Sequence, residues 1–308
     1  MTNTNLLSSF YGEGDLDVQN LTPARIASIS SSGFTDVIFG LFHVTGGKKA
    51  GKLGEVFYND TPLDLSAKSD KDLLSWAKSI QDLKAAGINK VYFSFGGGEV
   101  GDYQNISNIM KYKDPSNKTG PYIPESSFLY QNFLALKKYF PMVDGIDVDE
   151  EEGVSADVIT AFGNMAFKVG FNELTYAPPF SSSLAAYTAA AIATNTYAAS
   201  HSKPRQGFVT RLNLQCYGGI GLPDIPKWHT AAAQIGQAGR GTKPSVLIGG
   251  SSVVYPNPND LNSFFKQFDN AGADGGFLWE YSAMKNNLSQ SNKAMLKGLS
   301  GTQLNSDN

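Results

Sequence analysis

The chain has 308 residues, 41% of them hydrophobic and 12% aromatic, with a formal net charge of -3 and a pI near 5.7. That balance carries no basic footprint for nucleic acid, and no apolar run approaches the ~20 residues that span a bilayer. Cys216 is the only cysteine, so no intramolecular disulfide is possible and the core must hold the fold.

In chain order, short apolar or β-branched runs alternate with longer amphipathic stretches. The start, MTNTNLLSSFYGEG, has no basic segment followed by a long apolar core, which leaves open both a cytoplasmic chain and an exported one whose leader has been removed. A first strand is expected at Leu6 to Tyr11, then a helix in TPARIASISSSG with Thr22 as N-cap, Pro23 at its first position and Gly33 as its stop. The second strand, Asp36 to His43, leads through residues 44–67 into SDKDLLSWAKSIQDLKAAG, where Leu73, Trp76, Ala77, Ile80 and Leu83 share one helical face. The third strand, Lys90 to Phe95, leads through residues 99–124 to a helix at Glu125 to Phe140. Strands at Val143 to Asp149, Glu173 to Ala177, Arg211 to Tyr217, Ser245 to Ile248 and Gly276 to Tyr281 then alternate with helices. Those helices are placed at Ser155 to Val169, Leu184 to Ser200, Pro226 to Gly239, Asp260 to Gly272 and Ser289 to Leu299.

Strand-then-helix units along the whole of residues 1–308 predict one α/β domain, a single (β/α)8 TIM barrel with its site on the loops after the strand C-termini. The connections after strands two and three are too long for ordinary βα loops and emerge on that same face. Tyr103, Tyr112 and Tyr122 in the second of them suit either a groove lining or plain loop packing.

The stretch Val143 to Gly153, VDGIDVDEEEG, concentrates carboxylates. A solvated acidic loop is the ordinary meaning of such a run, but GIDV inside it has the pattern of a strand. Alternation puts Asp147, Asp149 and Glu151 on one face toward the barrel axis, with Glu150 and Glu152 outward at the rim and Asp144 off the row. Carboxyls about 7 Å apart along a strand cannot all ionise freely in a semi-enclosed place. At least one is expected to hold its proton, which is what general acid catalysis needs. Aligned carboxylates also suit Mg²⁺ or Ca²⁺, but His43, His201 and His229 are not at metal-ligand spacing and no phosphate-cradling loop with a Lys is present. Neither a metal nor another cofactor is expected.

Asp144, Asp147, Asp149 and Glu151 match the D-x-x-D-x-D-x-E signature of glycoside hydrolase family 18, and the chain resembles that family at three further points. Ser94, Gly96 and Gly97 in FSFGGG are similar to its S-x-G-G motif. Gln215 and Tyr217 in NLQCYGG are similar to its Q/M-x-Y pair, and Trp279 in GGFLWEYS stands where the family has a tryptophan under the sugar. The resemblance covers nearly the whole barrel. It implies a retaining hydrolase in which the substrate's own 2-acetamido oxygen is the nucleophile. Under it Glu151 is acid and then base, and Asp149 orients the acetamido group. Asp147 and Ser94 are buried support, Tyr217 holds the acetamido carbonyl, and Trp279 packs against the pyranose.

Two positions depart from the family pattern. Gly218 follows the tyrosine where many members carry Asp or Asn, and Glu150 occupies a position that is often apolar or Trp, an acid-rich context closer to the endo-β-N-acetylglucosaminidase branch. The implied partner is a β-1,4-linked N-acetylglucosamine oligo- or polysaccharide, with the chitobiose core of N-glycans as the alternative. A catalytically silent carbohydrate-binding relative is a third reading, which the intact Glu151 disfavours. Tyr11, Tyr58, Tyr103, Tyr176, Phe180 and Tyr255 lie near predicted strand ends as candidates for sugar stacking, with Tyr11 and Tyr176 assigned to substrate binding alongside Gly96 and Gly97. Trp76 and Trp228 belong to helical patterns and are expected to pack the outer layer. Cys216, at opposite parity to its neighbours, is expected to face the helices as an inert small hydrophobe. The sequence indicates no oligomeric state.

Overall fold

The computed structural model describes residues 6–300 apart from 14, 18–19, 46–50, 64, 66–70, 117–118, 180, 202–206, 218–221 and 240–241. Its strands β1 (Leu7–Tyr11), β2 (Asp36–Val44), β3 (Lys90–Gly97), β4 (Gly145–Glu150), β5 (Glu173–Tyr176), β6 (Val209–Gln215), β7 (Ser245–Ser251) and β8 (Gly275–Trp279) pair in parallel in chain order. β1 pairs with both β2 and β8, so the sheet closes into a (β/α)8 barrel. Outside it lie α1 (Pro23–Ser30), α2 (Lys71–Ala85), α3 (Phe128–Tyr139), α4 (Ala156–Lys168), α5 (Leu184–His201), α6 (Ile225–Ala238), α7 (Pro258–Phe265) and α8 (Leu288–Leu299). Among the described residues no helix is long and apolar enough to cross a membrane.

Local sequence sets the helix ends. The Thr22 hydroxyl accepts the Arg25 N–H at 3.4 Å ahead of Pro23, and the Ser127 hydroxyl accepts the Tyr130 N–H at 3.2 Å. Each supplies an acceptor to a first-turn N–H that has no carbonyl partner. Gly33 follows α1 at φ +85°, a left-handed conformation open to glycine without a Cβ clash.

Several boundaries differ from the sequence-based expectation. β6 stops at Gln215 and β8 at Trp279, and Tyr281 instead opens a short helix, Tyr281–Met284. The helix expected from Asp260 to Gly272 begins earlier, at Pro258 behind an Asn257 cap, and tightens into a 3-10 turn over Lys266–Phe268. The long connection after β3 is mostly ordered structure, a helix at Asp102–Ile109 and a hairpin of Lys111–Asp114 with Thr119–Tyr122. The connection after β2 carries a ribbon, Val56–Tyr58 with Thr61–Pro62, that extends the sheet from the end of β2.

Alternation along the strands gives the barrel interior a layered make-up. At its lower end Arg211 pairs with Asp36 at 2.8 Å and lies 5.0 Å over the Tyr92 ring, while the Tyr92 hydroxyl donates to Glu173 at 2.6 Å. Asp144 belongs to this end too, ion-paired with Lys84 and accepting the Val91 N–H at 2.9 Å. Above it sits a small apolar layer of Ile38, Tyr92, Leu247 and Phe277. Outside the strands a far larger cluster fills the space under the helices. Trp76 stacks on Phe42 and Phe93 there, Trp228 is 1% exposed, and burial pushes the Cys216 thiol up to about 12. With apolar layers on both sides of the sheet, the polar groups at the upper end of the barrel are held in fixed places.

Candidate active site

The upper interior is organised around Asp147, which is fully buried in β4. Its Oδ2 accepts hydrogen bonds from the Tyr11 and Ser94 hydroxyls, each at 2.8 Å. Its Oδ1 accepts from the Thr175 hydroxyl and from Asn213 Nδ2, the latter at 3.1 Å. These donors come from β1, β3, β5 and β6, and strand register places Ser94 and Thr175 directly beside Asp147. Burial raises the Asp147 pKa, and the four hydrogen bonds pull it back only in part.

Two residues further along β4, Asp149 is 7% exposed and accepts from Gln215 Nε2 at 2.8 Å. The same Gln215 amide nitrogen lies 3.1 Å from Glu151 Oε1 and 3.0 Å from the Ala177 carbonyl oxygen. Burial, then the Glu151 charge, then Asp147 hold the Asp149 carboxyl well above the usual carboxylate range. Glu151 itself is half-buried, just beyond the end of β4. The row thus runs from a sealed carboxyl to a proton-retaining one to one that meets solvent.

Glycines let the neighbouring strand come this close. A Cβ on Gly96 would lie 2.0 Å from the Asp149 carbonyl oxygen, and the residue has φ +123°, which few side chains tolerate. A Cβ on Gly98 would lie 3.2 Å from Glu151 Oε2. On the opposite side of the mouth the Tyr217 ring stacks on Trp279 at 5.9 Å and 11°. Burial, with Asp149 and Glu151 nearby, raises the Tyr217 pKa well above the phenol range, so its hydroxyl stays a donor. The Trp279 Nε1–H donates to Glu13 Oε2 at 2.6 Å. Among the described residues no group of three or more His, Cys, Asp or Glu is placed to hold a metal ion.

No family model and no curated protein matches the chain. Solved structures do. A family 18 chitinase from Pseudoalteromonas aurantia superposes with a TM-score of 0.58 at 14% identity, over 95% of this chain and 100% of its own. A family 18 chitinase from Cycas revoluta, in complex with allosamidin, gives 0.54 at 12%, over 94% and 98%. A family 18 N-acetylglucosaminidase from Paenibacillus barengoltzii gives 0.53 at 11%, over 96% and 100%. The chain has the fold of the family 18 glycoside hydrolases.

Within that family 18 fold, the structure brings Asp147, Asp149, Glu151, Ser94, Gly96, Gly97, Gln215, Tyr217 and Trp279 to one end of the barrel, but it revises several other assignments. Tyr11 does not offer a stacking face, because its ring is buried on Phe277 at 5.4 Å and its hydroxyl serves Asp147. Tyr176 points outward from β5 and packs on Tyr187, fully buried, since Thr175 takes the inward position. Tyr58 and Tyr103 are also buried, Tyr103 donating to the Phe95 carbonyl at 3.0 Å, while Tyr255 stacks on Phe264 and Tyr112 donates to Asp157. Gly218 and Phe180 lie outside the described residues.

Glu150 is not a rim residue. It is 3% exposed, and its Oε1 accepts the Glu152 and Val154 N–H groups at 2.7 and 3.1 Å, which folds the chain back after β4. Tyr187 ties down the same residue's backbone, donating to the Glu150 carbonyl at 2.7 Å. Glu152 accepts the Gln104 N–H at 3.1 Å, fastening the helix after β3 to this turn.

Thr175, Asn213, Glu13 and Tyr187 escaped the motif comparison. A period-two signal was present for Asn213, because Arg211, Asn213 and Gln215 alternate with leucines in RLNLQ and share the inward face. Glu13 carried no pattern of its own.

The raised Asp149 pKa has a thermodynamic consequence. An acid whose folded pKa exceeds its unfolded value contributes its full stability below about pH 3.9 and loses it as pH rises through the folded value. Asp149→Asn, which keeps an acceptor for Gln215, is therefore expected to raise the urea midpoint above wild type at pH 8, with the gap closing by pH 3. Parallel urea titrations at the two pH values check this, and a gap that widens toward low pH contradicts it.

Proposed function

We propose that this chain is a family 18 glycoside hydrolase that cleaves β-1,4 linkages of N-acetylglucosamine, in chitin or chitooligosaccharides, with retention and substrate assistance. The observation that carries the reading is the graded row of Asp147, Asp149 and Glu151, with the Gln215 amide joining its last two members.

In this mechanism Glu151, the member that meets solvent, protonates the glycosidic oxygen as the C1–O bond breaks. The substrate's acetamido oxygen bonds to C1 from the other face, giving an oxazolinium-like intermediate. Asp149 shares its proton with Glu151 and is left a carboxylate as that proton goes to the leaving oxygen, so it can orient the acetamido N–H and take up part of the positive charge that develops. The Tyr217 hydroxyl, kept protonated, donates to the acetamido oxygen. Water then attacks C1 and displaces the acetamido oxygen from it, while Glu151, now a carboxylate, takes the water's proton. Two inversions at C1 leave the configuration retained. Asp147 touches none of the reacting atoms and holds the row from below through its four donors.

The test is a pair of fluorogenic disaccharides, one chitobiose-linked and one identical but lacking the acetamido groups, with colloidal chitin and a high-mannose glycoprotein as natural substrates. Release from the first alone is expected, with chitin cleaved. Equal rates on both disaccharides would remove substrate assistance. Cleavage of the glycoprotein but not of chitin would transfer the activity to the N-glycan core, and binding without cleavage would make the chain a lectin.

A further inference from the structure

Trp279 is the last residue of β8, and its main chain is held from just past the end of β7, where the Ser252 N–H donates to the Trp279 carbonyl at 2.6 Å. The indole itself is half-buried and touches Tyr217 on one face. Its remaining polar contact crosses the seam where β1 meets β8, to the Glu13 carboxyl at 2.6 Å. Glu13 in turn shares a hydrogen bond with the Glu280 side chain, and two carboxyls can do so only with a proton between them. Glu280 is anchored as well, by the Ser282 hydroxyl on its side chain and by the Ser252 hydroxyl on its carbonyl at 2.8 Å.

We propose that Glu13 is a positioning residue for Trp279, fixing the indole's edge while Tyr217 fixes its face, with Glu280 as the second half of the carboxyl pair. The inference rests on the reading above, in which that indole is the floor under the reacting sugar. A ring stacked on one face still slides and rotates in its plane, whereas a hydrogen bond at its N–H removes that freedom. Ordering the floor before the sugar arrives lowers the entropy lost on binding.

Among the described residues, the charged and titratable groups that act on Glu13 include Glu280 beyond β8, His43 on β2 with its Nδ1 2.7 Å from Asp102, Tyr58 on the ribbon, and Asp149 across the mouth. Burial, reinforced by Glu280 and opposed by the Trp279 N–H, pushes the Glu13 carboxyl up to about 7. An ionised acceptor holds an N–H more strongly than a neutral one. The indole is therefore held more tightly above about pH 7 than below it.

The experiment uses the full chain with Glu13→Gln, which keeps an acceptor without its charge, and Glu13→Leu, which has none. Acrylamide quenching of Trp279, taken as the difference from Trp279→Phe because Trp76 and Trp228 are buried, reports the indole without any sugar. Quenching is expected to rise at least about twofold in Glu13→Leu and little in Glu13→Gln. In wild type it is expected to rise as pH falls through about 7, and to stay flat in Glu13→Gln. With a chitooligosaccharide, KM is expected to rise about tenfold in Glu13→Leu at nearly constant kcat, with Glu13→Gln restoring most of it. Unchanged quenching in Glu13→Leu overturns the proposal. So does a KM in Glu13→Gln as high as in Glu13→Leu, which would place the charge on the sugar rather than on the indole. If wild type hydrolyses no chitooligosaccharide, the functional reading fails, while the quenching series still decides the role of Glu13.

Discussion

Glu151→Gln is expected to lower kcat on a chitobiose-linked fluorogenic substrate about 10³-fold, within the range that general acid–base groups contribute. KM should move by less than about threefold. The substituted amide has the size of the carboxyl, and its oxygen can keep the Gln215 Nε2 contact that Glu151 Oε1 makes at 3.1 Å. It has no proton to give the leaving oxygen and no charge with which to take one from water. Because Glu151 is half-buried and beyond the strand end, the change should leave the urea midpoint close to wild type, separating chemistry from folding. Steady-state kinetics beside a urea titration make the check. Turnover within about tenfold of wild type would remove Glu151 from the role of acid.

Asp147 is expected to fail in the opposite way, through the fold first. Asp147→Ala leaves the hydroxyls of Tyr11, Ser94 and Thr175 and the amide of Asn213 converging on an empty space where water has no ready path. Stranding buried donors costs about 1–3 kcal/mol each before relaxation, so a loss of about 4 kcal/mol is expected. Asp147→Asn should cost roughly half as much. Its nitrogen can take the Oδ2 position, where Tyr11 and Ser94 are hydroxyls that can turn to accept, while its oxygen keeps Thr175 and Asn213. Denaturant unfolding of the two variants against wild type checks the order. An Asn variant less stable than the Ala variant would mean that the donors do not depend on a paired acceptor. Both variants should also lose activity, because Asp149 would lose the neighbour that helps to raise its pKa.

The barrel was legible in the sequence because strand and helix periods differ and each βα unit is a local pattern. Thr22, Pro23 and Gly33 mark α1 by nearest-neighbour chemistry alone, and the structure keeps them in those roles. The inward parity of Asp147 and Asp149 likewise follows from strand geometry within a few residues. Gly96 could be flagged as a glycine by motif, but the 2.0 Å between its would-be Cβ and the Asp149 carbonyl exists only once β3 and β4 are paired.

Two of the misreadings share a physical origin. Parity assigns a side chain to a face of the sheet but not to a depth along it. Tyr11 does face inward, but it sits beneath the row and serves as a donor rather than a stacking surface. Tyr176 is a matter of parity instead, outward because Thr175 takes the inner place on β5. Glu150 was correctly outward, but outward on this barrel means under the helices, where its carboxylate is consumed by two backbone N–H groups.

By itself the sequence determined the alternation of elements, the face on which the carboxylates lie and the single cysteine's small, unreactive role, all consequences of spacing along one chain. Tertiary structure alone decided which carboxyl is sealed, which keeps its proton and which meets solvent. It also decided that Glu13 reaches Trp279, 266 positions away, across the closing seam. Those are matters of burial and of contacts between strands distant in sequence, and no local period encodes either.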